Sequence, residues 1–495
     1  MIATARTACI DGFTGHLVEV QVDLGAGLPG FTIVGLTDRA VQEARERVRS
    51  AIRSSGQSFP QHRLTVNLAP AELRKEGTAF DLAIAVAIIR ASGTQIALGD
   101  AGFLGELGLD GSVRSTRGAL PMAQCLAAGG ASPIFVPAAN AAEAEACGVQ
   151  VVALDTLENL LLHLCGKRAL AVAVPTAPDR PSTAEVDLAD IQGQAVPKRA
   201  LEIAAAGGHH VLFGGPPGAG KSMLARALVG ILPDLSIEHA REVTSIHSVA
   251  GLLTSPGLAR RPPLRSPHHT VSIAGLIGGT HAAMPGELCL AHRGVLVMDE
   301  LPEFNRNCLE ALREPLEEGR IRLSRATGTR VLPASFILAA TANPCPCGKA
   351  GEGGDSLCSC APDTVTRYRK RISGPFRDRV DISLEVRPVQ LRQLPGTREG
   401  ETTATVALRV AAARAVQARR QGDRLNAGLA AAQLGEVCEL EVEARRLVPR
   451  LTEAHALTGR GFHGVFRLAR TIADIDGRPR ITAQDLLEAG EYRGN

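Results

Sequence analysis

The sequence predicts an α/β fold built around a phosphate-binding loop, and three observations predict it. Val211 to Phe213 is an apolar strand-like run that leads through GGPPGAGKS, Gly214 to Ser222, into the Ala/Leu-rich helical pattern MLARALVG. The spacing from Gly215 to Gly220-Lys221-Ser222 fits GxxxxGKS, a turn that needs a strand before it and a helix after it. A second apolar run, beginning at Val295, ends in the acids Asp299 and Glu300, as the partner strand of such a loop must.

These residue types specify a chemistry. Gly215, Pro216, Pro217, Gly218, Ala219 and Gly220 form a turn in which backbone N–H groups can face phosphate oxygens. Lys221 is expected to reach the β- and γ-phosphates, and Ser222 to offer its hydroxyl to Mg²⁺. Asp299 is expected near the same metal through its waters, and Glu300 where it polarises the attacking water. The expectation is hydrolysis of ATP, with ATP and Mg²⁺ as the bound groups, rather than binding alone.

Composition bounds the rest. A chain of 495 residues has room for two to three domains. Net charge is only +3, so contact with nucleic acid must come from local basic patches and not from bulk charge. Trp is absent and aromatics are 3%, which argues against base stacking as the main binding mode. The N-terminal stretch MIATARTACIDGFTGHLVEVQVDL carries no apolar leader, and no apolar run reaches the roughly 18 residues of a membrane span. A cytoplasmic protein without membrane contact is therefore expected. In that compartment the eleven cysteines are not a disulfide framework: seven are scattered singly and four cluster.

From the N-terminus to about Lys167, strand-like and helical runs alternate. Leu17 to Leu24 alternates apolar with polar, Val41 to Ile52 reads as a charged amphipathic helix, Leu64 to Leu68 as a strand and Phe80 to Ile89 as an apolar helix. The stretches FTIVGLTDRAVQEARERVRSAI, LTVNLAPAELRKEGTAFDLAIA and FLGELGLDGSVRSTRGALPMA resemble the Lon-protease-like domain of the magnesium-chelatase-like ComM/YifB family. The resemblance implies an α+β domain over residues 1–170 related to ribosomal protein S5 domain 2. It also raises a peptidase as a rival function, since Lon uses a Ser-Lys dyad. The residues argue against it: the chain reads Gly77-Thr78-Ala79-Phe80 where the nucleophile motif belongs, and no lysine lies between Lys75 and Lys167.

Residues 171–186, with three prolines and little periodicity, read as an extended linker. The core is then expected over 187–395. The resemblance implies an AAA+ fold here, with Ile191 and Gln194 lining the adenine pocket; a helix-capping turn is the plainer alternative. The segment from Ser266 to Gly286 resembles the helix-2 insert of the magnesium-chelatase, ComM and replicative MCM group, which implies a loop pointing into the pore of a ring. His268 and His269 within it are adjacent, a poor arrangement for one metal ion.

After the acids, IRLSRATGTRVLPA reads as a β-hairpin with glycine near its turn and a basic face of Arg320, Arg322, Arg325 and Arg330. The resemblance makes this the hairpin that touches DNA, with solvated arginines as the alternative; phosphate contacts would make affinity fall steeply with salt. The next apolar strand, Phe336 to Ala342, ends in Asn343, where a carboxamide can donate to phosphate and accept from water. Cys345 and Cys347, then Cys358 and Cys360, form two CxC pairs that can surround Zn²⁺, with free or redox-active thiols as the alternative.

The last elements complete an ATPase. Arg379, in Arg377-Asp378-Arg379, resembles an arginine finger that enters a neighbouring subunit's site, although Phe376 and Arg377 depart from the two apolar residues usual before the Asp-Arg. Residues 396–495 read as an all-α lid in which Arg460 resembles the second sensor; Arg467 and Arg470 are expected in salt bridges. The resemblance to the ComM/YifB family spans nearly the whole chain. It implies a homo-hexamer in the ATP-bound state that couples ATP hydrolysis to movement along branched or single-stranded DNA, as a branch-migration helicase in natural transformation. The rival within the same core is a magnesium-chelatase-type motor that remodels a protein partner. A scaffold that uses ATP only to assemble is disfavoured by the paired acids. The N-terminal domain's own partner is left open.

Overall fold

The computed structural model describes residues 2–173, 186–253, 257–279, 284–325, 328–350, 358–389, 400–454 and 458–493. The side chains of residues 324, 325, 328 and 454 lie outside that description, as do residues 174–185 of the expected linker. The chain forms two compact units. The first takes the described residues of Met1–Arg180, Ser236–Arg260 and Thr280–Pro285; the second takes those of Pro181–Leu235, Arg261–Gly279 and Gly286–Asn495.

In the first unit, seven strands form one mixed sheet in the order Gly30–Val34, Arg63–Ala69, Thr14–Gly25, Ile2–Asp11, Gly102–Phe103, Ile134–Pro137, Val151–Leu154. Thr14–Gly25 pairs antiparallel with both its neighbours, and the other pairs are parallel. Alternation decides which face each strand buries: Val18, Val20 and Val22 point into the core while Leu17 and Glu19 are exposed. The helix Arg39–Ser54 starts where the Asp38 side chain accepts the Val41 N–H at 2.8 Å, and it buries Val41, Ala44, Val48, Ala51 and Ile52 along one stripe. The helix Asp81–Ala91 is apolar nearly all round and is buried except at Arg90.

One element of this unit comes from far along the chain. The helix Ile237–Ala250, read from the sequence as part of the 187–395 core, packs here beside Ala119–Ala128. The close approach needs Gly118, at φ +71°: a Cβ there would sit 1.8 Å from Ile10 Cδ1 and 3.3 Å from Val249 Cγ2.

The second unit holds a parallel sheet of five strands in the order Leu264–Arg265, Val295–Met298, Ile337–Ala342, Val211–Gly214, Ile382–Glu385. Val295–Met298 and Ile337–Ala342 are buried at every position, as strands covered on both faces must be. The α/β class expected from the sequence therefore holds. Five α-helices follow residue 400 among the described residues: Thr403–Gln421, Ala431–Val437, Val442–Ala454, Gly459–Ile475 and Ala483–Glu491. They share one apolar core with the sheet and its helix Ala195–Gly207, with Ala200, Ile203 and Ala204 in the same cluster as Val410, Leu468 and Ile472. Arg470, almost fully buried, pairs with Asp474 at 3.0 Å. Arg467 departs from expectation: it donates to the Leu429 carbonyl at 2.5 Å and forms no salt bridge among the described residues.

Candidate active site

The carboxyl ends of the parallel strands carry the site, where open α/β sheets place their ligands. The loop after Val211–Gly214 turns on Gly215, whose φ of +140° brings its Cα hydrogen against the next strand's end; a Cβ would lie 2.3 Å from the Val386 carbonyl oxygen. Lys221, buried at 7% exposure, opens the helix Lys221–Ala227. Its ammonium donates to the carbonyls of Gly215 and Pro216, both at 2.7 Å, and to Asn343 Oδ1 at 3.1 Å. Burial lowers its pKa from the ordinary lysine value, and the charges of Asp299 and Glu300 oppose that shift.

Beside it, Ser222 Oγ donates to both oxygens of Asp299, at 3.0 and 2.9 Å. Thr341 Oγ1 donates to Asp299 Oδ1 at 2.5 Å and accepts the Glu300 N–H at 2.9 Å. Glu300 itself is exposed and sits in the left-handed region, φ +53°, a costly conformation for a non-glycine residue that the Thr341 bond holds in place. Lys221, Ser222, Asp299, Glu300 and Asn343 thus meet at one point, as the sequence motifs predict. Sequence reasoning does not find Thr341. The available signal is a lone polar, buried residue in the apolar strand Ile337–Ala342, two positions before Asn343.

Gln194 and Ile191 differ in what they offer. Ile191 is buried in the core. Gln194, at φ +55°, donates through Nε2 to the Arg387 carbonyl at 2.7 Å and to the Ala219 carbonyl at 3.3 Å, so it ties the loop after Ile382–Glu385 to the phosphate-binding loop. A cleft of about 260 Å³ adjoins this junction, lined by Pro216, Pro217, Gly348, Val386 and Arg387 among others.

Arg379 and Arg460 converge on a different group. Glu317 accepts Arg379 NH2 at 2.5 Å on one oxygen and Arg460 NH2 at 2.6 Å on the other. The finger and sensor candidates are therefore neighbours of each other, held by one carboxylate that sequence reasoning does not identify. No hydrogen bond joins either arginine to Lys221, Ser222, Asp299 or Asn343 among the described residues.

The hairpin forms, from Arg320–Arg325 and Gly328–Pro333 in antiparallel register. Its single basic face does not. Strand side chains alternate with a period of two, so Arg320 and Arg322 share one face, whereas Arg330, opposite Leu323, belongs to the other. Arg320 and Arg322 are also paired with Glu318, at 2.9 and 2.7 Å. The Arg325 side chain lies outside the described residues.

The four clustered cysteines come together: their sulfur atoms all lie within 4.8 Å of one another, with Cys345 buried and the others half-buried. The Lys349 backbone N–H and the Cys345 thiol hold Cys347 below the ordinary thiol value, at about 6. In the insert, His268 accepts or donates through Nδ1 to Thr270 Oγ1 at 2.8 Å and lies 4.1 Å, ring to ring, from His269. Residues 280–283 of that insert lie outside the described residues. In the first unit, Thr78 Oγ1 donates to the Glu106 carboxylate, and Lys75, fully buried, donates to the Pro70 carbonyl. No helix is long and apolar enough to cross a membrane among the described residues.

Three family models match the chain. The model described as magnesium chelatase, subunit ChlI, matches residues 187–394; that of subunit ChlI of Mg-chelatase matches 20–140; and that of the magnesium chelatase subunit ChlI C-terminal region matches 400–493. Among individual proteins, YifB of Escherichia coli is 42% identical over 497 residues, covering 99% of this chain and 97% of its own. A protein of Mycobacterium tuberculosis is 41% identical over 500 residues, covering 99% and 98%. The competence protein ComM of Haemophilus influenzae is 40% identical over 490 residues, covering 97% and 95%.

Proposed function

The chain belongs to the ComM/YifB family of magnesium-chelatase-like AAA+ ATPases, and from that premise we propose that it is a hexameric motor that couples ATP hydrolysis to movement on branched or single-stranded DNA. The observation that carries the catalytic half is the meeting of Lys221 with Asn343 and of Ser222 with Asp299, pairs 122 and 77 residues apart in the chain.

The contacts support the following roles. Lys221 neutralises the β- and γ-phosphates, exchanging its loop carbonyls for phosphate oxygens. Ser222 and Asp299 would hold Mg²⁺, and their hard oxygen donors in contact suit that ion. When bound, Mg²⁺ supplies positive charge that offsets the charge developing on the phosphoryl oxygens. Glu300, exposed at the strand's end, accepts a proton from the attacking water, and Asn343 orients that water while touching Lys221. Arg379 and Arg460, joined through Glu317, enter a neighbouring subunit's site as a pair, which makes a ring the working form. Gln194 and Ile191 border the base of the nucleotide. Zn²⁺ on the cysteine loop is a structural ion in this reading. The Lon-like domain is proposed to lack peptidase activity: Thr78 is anchored by a carboxylate, and Lys75 points to a carbonyl instead of to it. Given a DNA substrate, the cytoplasm is its compartment; the ComM relative's name points to competence, and integration of incoming DNA is the step proposed within it.

A second reading keeps the motor and changes the load. Arg320 and Arg322 lie on the opposite face from Arg330 and pair with Glu318, which favours a magnesium-chelatase-type machine acting on a protein partner. One experiment separates the readings: the ATPase rate with and without single-stranded, double-stranded and four-way-junction DNA, with Glu300→Gln as the blank. Strong stimulation that disappears in the blank is the expected result, since loss of a general base costs roughly 10²–10⁴-fold. ATPase activity that no DNA stimulates would move the assignment to protein remodelling.

A further inference from the structure

Resting on the nucleotide site proposed above, we propose that Cys345, Cys347, Cys358 and Cys360 bind one Zn²⁺ as a tetrathiolate and that this ion clamps the cysteine loop against the phosphate-binding loop, so that metal occupancy sets nucleotide affinity. The sulfur positions fit the ion. Zn–S bonds of about 2.3 Å in a tetrahedron put sulfurs roughly 3.8 Å apart. Cys345 and Cys347 are separated by 3.4 Å, and Cys358 lies 3.7 Å from each of them. Cys360 completes a set whose members all lie within 4.8 Å of one another. All four cysteines are free of disulfides.

The backbone is arranged for thiolates as well. The Gly348 N–H donates to the Cys345 carbonyl at 2.9 Å, closing a tight turn around the first pair, and Gly348 has φ +76°. The Ala350 N–H then donates to Cys345 Sγ at 3.3 Å, the outer hydrogen bond that metal-binding sulfurs commonly accept. On loading, the thiols release protons to water and the sulfur charge passes to the dication, which removes the mutual repulsion of four thiolates. Soft sulfur donors select Zn²⁺ over Mg²⁺ or Ca²⁺.

The link to the nucleotide is direct contact. Cys345 follows Asn343 by two residues, and Gly348 rests on Pro217: a Cβ added there would sit 2.6 Å from Pro217 Cδ and Cγ. The metal turn is thus packed on the loop that wraps the phosphates and is continuous with the residue that touches Lys221.

The test uses the full chain, purified without added metal. Metal analysis by mass spectrometry is expected to return one zinc per chain; iron in its place, or less than about a tenth of a zinc, would overturn the site. Affinity for a fluorescent, non-hydrolysable ATP analogue is then compared between wild type, Cys358→Ser and Gly348→Ala. Cys358→Ser should lose the zinc and bind the analogue roughly tenfold more weakly or worse. Gly348→Ala keeps all four thiolates, so it should retain the zinc and still weaken binding, which separates the contact from a general loss of folding. Unchanged affinity in both variants would overturn the clamp. A wild type that carries zinc and binds no analogue would overturn the nucleotide site and the clamp together, while the zinc site would stand.

Discussion

At Thr341 one hydroxyl serves both strand-end acids: it donates to the Asp299 carboxylate and accepts the Glu300 N–H, fixing the strained backbone that presents Glu300. Thr341→Val keeps the branched shape and removes both bonds. Turnover is expected to fall roughly 10- to 100-fold, the usual cost of losing a group that orients metal and base, with ATP-analogue affinity nearly unchanged. Steady-state kinetics beside equilibrium binding check this; a loss confined to binding would assign Thr341 to the nucleotide instead. Glu317 is the second residue of this kind. Its two oxygens hold Arg379 and Arg460 side by side, and neither its spacing nor its neighbours in EPLEEGR distinguish it from Glu314 or Glu318. The roles of Lys221 and Ser222 are legible because their partners in the motif are adjacent in sequence, whereas those of Thr341 and Glu317 depend on which strands and helices become neighbours.

Between elements, the segment of the finger candidate is fastened to the lid by a buried polar network. His209 Nδ1 lies 3.0 Å from Asp381 and its Nε2 lies 2.8 Å from Thr471 of the helix Gly459–Ile475. Burial pushes the Asp381 carboxyl up, but its hydrogen bond to His209 and the nearby Arg493 charge outweigh that and hold it below the ordinary 3.8. A depressed carboxylate contributes stability that is complete above its unfolded value and lost as pH falls through the folded one. Asp381→Asn should therefore destabilise the protein by about 1–3 kcal/mol at neutral pH, as an impaired buried hydrogen-bond network does. The gap to wild type, read from urea unfolding, should narrow only below pH 3.8; a gap that already closes by pH 5 would contradict the pairing. The hairpin teaches the complementary lesson. Its existence is plain from local sequence, but the facing of its arginines depends on register, and Arg330 opposite Leu323 takes the other side from Arg320 and Arg322.

For the whole molecule, the proposed ring predicts that each subunit supplies one half of a site to its neighbour, Lys221 and Asp299 on one side and the Glu317-bound pair Arg379 and Arg460 on the other. Mixing settles this. Arg379→Ala and Lys221→Ala should each be inactive alone, while mixed rings should recover a fraction of wild-type ATPase activity, because some interfaces then pair an intact loop with an intact finger. Two silent variants that stay silent when mixed would place Arg379 in its own subunit's site. The division into two units carries a related point about chain order. Ile237–Ala250 lies between the phosphate-binding loop and the acid strand in sequence, yet it belongs to the unit built by the N-terminal residues. Chain order assigns those residues to the 187–395 core, and tertiary packing alone decides which core receives the helix.

The sequence by itself determined the two local parts of the proposed ATPase site: a strand, a glycine turn and a helix within a dozen residues, and an apolar strand ending in two acids. Those features are local, so their geometry is fixed by backbone preferences that the residues carry with them. Tertiary structure alone decided which distant groups complete the site. Parallel strand order brings Thr341 to Asp299, and helix packing brings two arginines to Glu317. Contacts of that kind arise from burying the whole sheet at once, and no window of the sequence contains them.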